Sequence, residues 1–223
     1  MRCSTRTATV VVNGDDVFED LYTAAGELQG LLAAEGFAAR IALGTARFED
    51  AAPAADLIVL YTAAGRFTEQ ARRGLARAVH DGAGLIAVHS ANVPHPPGKP
   101  VITEDPLLSL IGSRYVSHGP LPHESRFTVR LDDAHELTAG IGPFDLTHEH
   151  YEIETTPDAR VLAWRERPGS GAVEPIIHVR THGDGRVCYI QLGHELRTWG
   201  EPPVRQLVRR AARWACRRAA RGV

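Results

Sequence analysis

Two histidines end apolar runs in this chain, Gly84-Leu85-Ile86-Ala87-Val88-His89 and Arg186-Val187-Cys188-Tyr189-Ile190-Gln191-Leu192-Gly193-His194. Such runs read as buried strands, and open α/β folds bind ligands at the C-terminal edge of the sheet. An imidazole placed there can act as general acid or base, donate a hydrogen bond to a developing oxyanion, or ligate a metal. For His89 all three roles are open. His148-Glu149-His150-Tyr151-Glu152 is a second dense cluster. If extended, it puts His148, His150 and Glu152 on one face and Glu149 and Tyr151 on the other, so the two sets cannot all line one site. The imidazole pair would suit a metal, and Glu149 with Tyr151 would suit proton transfer or sugar-hydroxyl binding. His118 completes the candidates. His178 falls inside a strand, where a hydrogen-bonded core histidine is expected. His80, His95, His123 and His135 read as surface or loop residues.

The turn after Val88 is where several α/β enzymes hold a nucleophile over backbone N–H groups. An amidotransferase needs a thiol there, and Cys3, Cys188 and Cys216 all lie elsewhere. A hydrolase elbow needs glycines two residues either side of its serine, and Ser90 has Val88 and Asn92. The candidates therefore point to acid–base or metal chemistry instead of covalent catalysis.

Alternating elements must position these groups. Strand-like runs at Ala8 to Asn13, Phe37 to Leu43, Asp56 to Tyr61 and Gly84 to His89 alternate with helical patterns from Glu19 to Glu35 and from the Thr68 cap to His80. Gly36 and Gly82 are placed to end those helices. Asn13-Gly14-Asp15-Asp16 reads as a loop. Alternation of this length calls for right-handed crossovers and a doubly wound parallel unit. The second half changes character, with a Pro-rich loop over 94–100 and a short helix from Thr103 to Ile111. Further strands follow at Arg126 to Leu131, Val161 to Arg165, Pro175 to Arg180 and Arg186 to Leu192. His182-Gly183-Asp184-Gly185 is a hairpin turn signal. Pro203 to Arg218 closes as a helix with one apolar stripe, its arginines forming the solvated face. A mainly parallel sheet with an antiparallel extension assembles these pieces.

At 223 residues, 43% hydrophobic and 23% charged, the chain can bury one sizeable core, so a single domain over residues 1–223 is expected. The formal net charge of -2 gives no long-range field for nucleic acid. Three scattered cysteines build no disulfide framework, and there is neither a signal-peptide pattern nor an apolar run long enough for a bilayer, so a cytoplasmic protein is expected. An uncovered edge strand would suit a homodimer.

Val88-His89-Ser90-Ala91, the Gly112 to His118 segment, Phe144 followed by His148-Glu149-His150-Tyr151, and Gly183-Asp184-Gly185-Arg186-Val187 leading to Leu192-Gly193-His194-Glu195-Leu196-Arg197-Thr198-Trp199 stand in the order seen in the trehalose-utilisation (ThuA-like) family, which the chain resembles over nearly its whole length. The resemblance implies an α/β fold of the flavodoxin-like, class I glutamine amidotransferase-like type. That fold is a three-layer sandwich, here with a histidine, His89, where the thiol would be. It also implies a role in carbohydrate metabolism, beside dehydrogenases that make 3-keto sugars. Carried over by position, His89, His118, Glu149, Tyr151 and His194 are the expected catalytic residues. Ser90, Asn92 and Glu195 are the expected substrate-binding ones, with a sugar or glycoside as ligand and a divalent metal as a further expectation. There are departures: His148 stands where an acidic residue is common, His178 where an aromatic is frequent, and Glu195 where Asp is frequent. Two readings follow, an enzyme acting on an oxidised sugar and a non-catalytic sugar-binding or partner protein. Convergence of His89, His118, Glu149 and His194 on one cavity would favour the enzyme.

Overall fold

β-Branched runs alternate with amphipathic segments through the first half of the chain, and the backbone follows that alternation. The structure is a computed structural model that describes residues 5–14, 19–50, 55–63, 65–93, 101–167 and 170–217. The expected turn at Asp15 and Asp16, the Pro-rich loop 94–100, Cys3, His95 and Arg218 lie outside the described residues. Strand β1 (Thr7–Gly14) leads to helix α1 (Leu21–Ala34), then β2 (Ala38–Leu43), α2 (Arg47–Asp50), β3 (Leu57–Ala63), α3 (Glu69–His80) and β4 (Gly84–Val88). A 3-10 turn (His89–Asn92) precedes α4 (Pro106–Ile111), β5 (Ser113–Ser117), β6 (Glu124–Leu131), β7 (Phe144–Glu149) and β8 (Glu152–Thr155). The chain ends with β9 (Arg160–Glu166), β10 (Val173–His182), β11 (Gly185–Ile190), α5 (Leu196–Gly200) and α6 (Pro202–Ala215).

Nine strands form one sheet in the order β2-β1-β3-β4-β11-β10-β9-β6-β7. The strands from β2 to β11 are parallel and those from β10 to β7 antiparallel, so the extension is nearly as wide as the parallel core. Alternate side chains of the central strands point to opposite faces, as the period of two requires. Val10, Val12, Leu57, Val59, Ile86 and Val88 pack under α1 and α6, while Val11, Ile58, Leu60, Leu85 and Ala87 pack under α3 and α4. Helices on both faces make the three-layer α/β sandwich. No helix among the described residues is long and apolar enough to cross a membrane.

Local signals set the element ends. The Thr68 hydroxyl accepts from the Ala71 N–H at 3.2 Å and caps α3, while Asp105 caps the shorter α4. Gly36 takes φ +81° past α1, a conformation that costs glycine nothing. β5 and β8, which periodicity does not mark, pair as a separate two-stranded sheet. The arginines of α6 lie on its outer face: Arg205 pairs with Glu27, and Arg209 and Arg213 with Glu35.

Candidate active site

β4 and β11 are neighbours in the sheet, so their C-terminal ends carry His89 and His194 to one edge. His89 is the only described non-glycine residue with positive φ, at +46°. That strained turn holds its ring in place, a feature that clusters at functional sites. The Tyr189 hydroxyl donates to the His89 carbonyl at 2.8 Å, and His89 Nδ1 lies 2.7 Å from the Gln191 carbonyl. A carbonyl only accepts, so Nδ1 carries hydrogen. Nε2 lies 2.8 Å from the Tyr151 hydroxyl and 3.1 Å from Glu149 Oε2. It can donate to the carboxylate or accept from the phenol.

Glu149 is the hub. Oε1 lies 3.1 Å from His118 Nε2, and Oε2 lies 3.3 Å from His194 Nδ1 as well as touching His89. Burial alone would raise its carboxyl, but the hydrogen bond from His89 and the electrostatic pull of the His89, His194 and His118 imidazoles outweigh it and hold the group at about 2. Since Glu149 is ionised, His118 Nε2 donates to it and His118 Nδ1 accepts from the Tyr115 hydroxyl at 2.6 Å. Burial pushes His118 and His194 down, and for His194 the charge of His89 adds to the effect. Tyr151 is pushed well up by burial and by the Glu149 charge, so it stays a phenol.

His148 supports this arrangement from behind. Its Nε2 accepts from the backbone N–H groups of Gly193 and His194 at 2.9 and 3.1 Å, while Nδ1 donates to the Glu149 carbonyl. Burial lowers it to about 3, so the ring stays neutral. The Tyr61 hydroxyl adds a bond to the Gly193 carbonyl at 2.6 Å. Both ring nitrogens of His148 are committed, and His150 turns toward Phe127 and Arg165, so these two histidines do not form the metal pair that their spacing suggests. β7 ends at Glu149 and the chain changes sheets before β8, which breaks the alternation assumed for an extended segment. Glu149 and Tyr151 do share the site.

A cavity of about 330 Å³ opens at this edge, with Ser90, His118, Glu149, Tyr151 and His194 in its wall. Three expectations need correction. His89 is fully buried and stands behind the wall, covered by Tyr151 and Glu149. Asn92 is buried too; its amide donates to the Ser113 hydroxyl at 3.1 Å, which ties the turn to β5 and leaves no contact with the cavity. Glu195 points outward to Arg197 at 2.7 Å. Ser90 keeps its place, donating to the Thr62 carbonyl at 2.7 Å. His178 is a core residue bonded to the Ile111 carbonyl at 3.1 Å.

Sequence reasoning missed Glu19 and Tyr115. Glu19 lies just before α1, past the C-terminal end of β1, and reads there as an ordinary helix-start acid. In the fold it lines the cavity with Oε1 3.9 Å from His89 Nε2, and burial raises its carboxyl. Its Oε2 and the His194 Nδ1 are buried without a hydrogen-bond partner, the 3.3 Å approach of His194 to Glu149 being misaligned for one. Glu19, His89 and His194 each offer one ligand atom, and these atoms lie within 4.8 Å of one another, so this trio could hold a divalent cation.

The chain's fold matches solved structures. A ThuA-like protein from Parabacteroides merdae ATCC 43184 superposes with TM-score 0.75 at 16% identity, covering 95% of this chain and 90% of that one. A ThuA-like protein from Bacteroides uniformis ATCC 8492 gives 0.74 at 15% identity, covering 96% and 92%. A β-galactosidase from Rahnella sp. R3 shares the fold over 85% of this chain and 30% of its own, with TM-score 0.63 and 15% identity. No curated protein matches the sequence. The family model described as trehalose utilisation matches residues 8–215, and the chain belongs to this ThuA family, whose role is carbohydrate-related.

Proposed function

We propose that this protein is an enzyme acting on an oxidised, 3-keto sugar or glycoside by acid–base elimination at the glycosidic carbon, followed by hydration. The observation that carries the reading is convergence: Glu19, His118, Glu149, Tyr151 and His194 face one cavity, backed by His89. A 3-keto group acidifies the C2–H bond, so one base and donors to the enolate oxygen suffice. The base takes the C2 proton, the C–H electron pair forms the C1–C2 double bond, and the C1–O bond breaks. The departing oxygen takes a proton from the enzyme, and water then adds across the double bond.

A carboxyl raised by burial is better matched to carbon-acid chemistry than one held at about 2, so Glu19 takes the base role. Ionised Glu149 orients the imidazoles. His118 is held by Glu149 and Tyr115, so His194 and the Tyr151 phenol supply the donors to the keto and leaving oxygens. The reading includes a small-molecule partner and a cytoplasmic setting. Turnover of 3-keto glycosides tests it: Glu149→Gln and Tyr151→Phe should each lose about a hundredfold or more in kcat/KM. Unchanged turnover in Glu149→Gln, or no turnover of any 3-keto glycoside by the wild type, would sink it.

A second reading, a divalent metal on Glu19, His89 and His194, is favoured by the two unpartnered buried atoms in that trio. There the metal would polarise the keto oxygen as a Lewis acid. Elemental analysis separates the two. Stoichiometric metal in the wild type, lost in both Glu19→Gln and His194→Ala, supports the metal reading; protein free of metal yet active supports the acid–base one.

A further inference from the structure

We propose that the substrate is a glycoside whose aglycone is an apolar ring, held in a subsite away from the charged cluster. The inference rests on the glycoside reading of the cavity and adds what occupies the apolar part of its wall. Phe67, Val93, Leu107 and Leu108, with Ala63, supply that part, and Arg72 and Asp105 tie Phe67 to the two leucines. Phe67 precedes α3, Val93 follows the turn carrying His89, and the two leucines open α4.

Polar groups do line this part, but they are turned to structural work. Asp105 Oδ1 accepts from the backbone N–H groups of Leu107 and Leu108 at 2.8 and 3.2 Å, and Oδ2 pairs with Arg72 Nη1. Arg72 Nε donates to the Phe67 carbonyl at 3.0 Å, and its guanidinium lies 5.8 Å from the Phe67 ring. The pair neutralises itself and fixes the apolar wall. A second sugar ring would lose the water around its hydroxyls there without finding matching partners, which costs affinity. An anionic leaving group would meet a cation already neutralised by Asp105. An aromatic or alicyclic ring would exchange water for carbon contacts. The volume of about 330 Å³ suits one sugar ring carrying a compact substituent.

The test uses matched β-glucosides, phenyl β-glucoside and cellobiose, titrated calorimetrically into the wild type and into Val93→Thr and Leu107→Ala. Val93→Thr changes little volume and places its added hydroxyl at a half-buried position, and near-UV circular dichroism checks that both variants fold. Phenyl β-glucoside should bind the wild type at least about tenfold more tightly than cellobiose, the discrimination that burying one ring supplies. Both variants should narrow that gap several-fold. Cellobiose binding as tightly, phenyl β-glucoside failing to bind, or a gap unchanged in both variants would overturn the subsite. Turnover of the 3-keto forms is read separately: intact phenyl-glucoside preference without turnover removes the catalytic reading and keeps the subsite, whereas turnover favouring 3-keto cellobiose does the reverse.

Discussion

Glu19 and Glu149 reach the same nitrogen, His89 Nε2, at 3.9 and 3.1 Å, yet their environments drive them apart. Burial and the Glu149 charge raise Glu19; contact with three imidazoles holds Glu149 at about 2. Such a split is how one site keeps both a base and a permanent charge. A base with a raised pKa loses activity as pH falls through that value, so the wild-type kcat/KM should decline on the acid side at a pH above 4.5, the ordinary glutamate value. Glu19→Gln should remove that acid limb and cost about a hundred- to ten-thousandfold in kcat/KM. A pH–rate profile that keeps its acid limb in Glu19→Gln would assign the base elsewhere. Type and position singled out His118, Glu149, Tyr151 and His194 as candidates, and the fold brings these four to one cavity. Glu19 was not legible, because an acid at a helix start is commonplace and only the fold shows that this one is buried beside an imidazole.

At the level of elements, β1 to β4 with α1 and α3 were readable because helical periods of 3.6 and β-branched runs alternate cleanly there. The β10–β11 hairpin was also readable, from Gly183 and its neighbours. Gly183 adopts φ +58°, and a Cβ there would collide with the His80 carbonyl oxygen at the end of α3. Gly183→Ala should therefore destabilise the protein by about 2 kcal/mol or more, lowering Tm by roughly 4–8 °C in thermal unfolding. This turn lies at the sheet edge opposite the cavity, so kcat/KM below Tm should not change; a fall in kcat/KM without a fall in Tm would contradict that placement. β5 and β8 escaped prediction because they are short, half-buried and polar, and their pairing partners lie far apart in sequence.

For the molecule as a whole, acid stability hinges on buried neutral imidazoles. His178 on β10 is fully buried between Tyr189 and the Ile111 carbonyl, and burial lowers it from the ordinary 6.5 to about 4. The unfolded chain therefore binds the extra proton first, and stability falls as pH drops below 6.5, levelling off near 4. From pH 7 to pH 5 this one group should cost about 2 kcal/mol. His178→Phe should lose the bond to Ile111 but show a smaller drop in Tm between pH 7 and pH 5; an equal drop would assign the acid sensitivity to other groups such as His148. The sequence by itself determined the alternation of strands and helices, the strand-end positions of His89 and His194, and the pairing of Glu149 with Tyr151. These depend on local periodicity and on which face a side chain takes. Only the tertiary structure decided that His89 stands behind the wall, that Asn92 and Glu195 leave the site, that His148 is a scaffold residue, and that Glu19 and an apolar part of the wall complete the cavity. Each of those follows from contacts between segments distant in sequence, where burial and neighbouring charge set what a group can do.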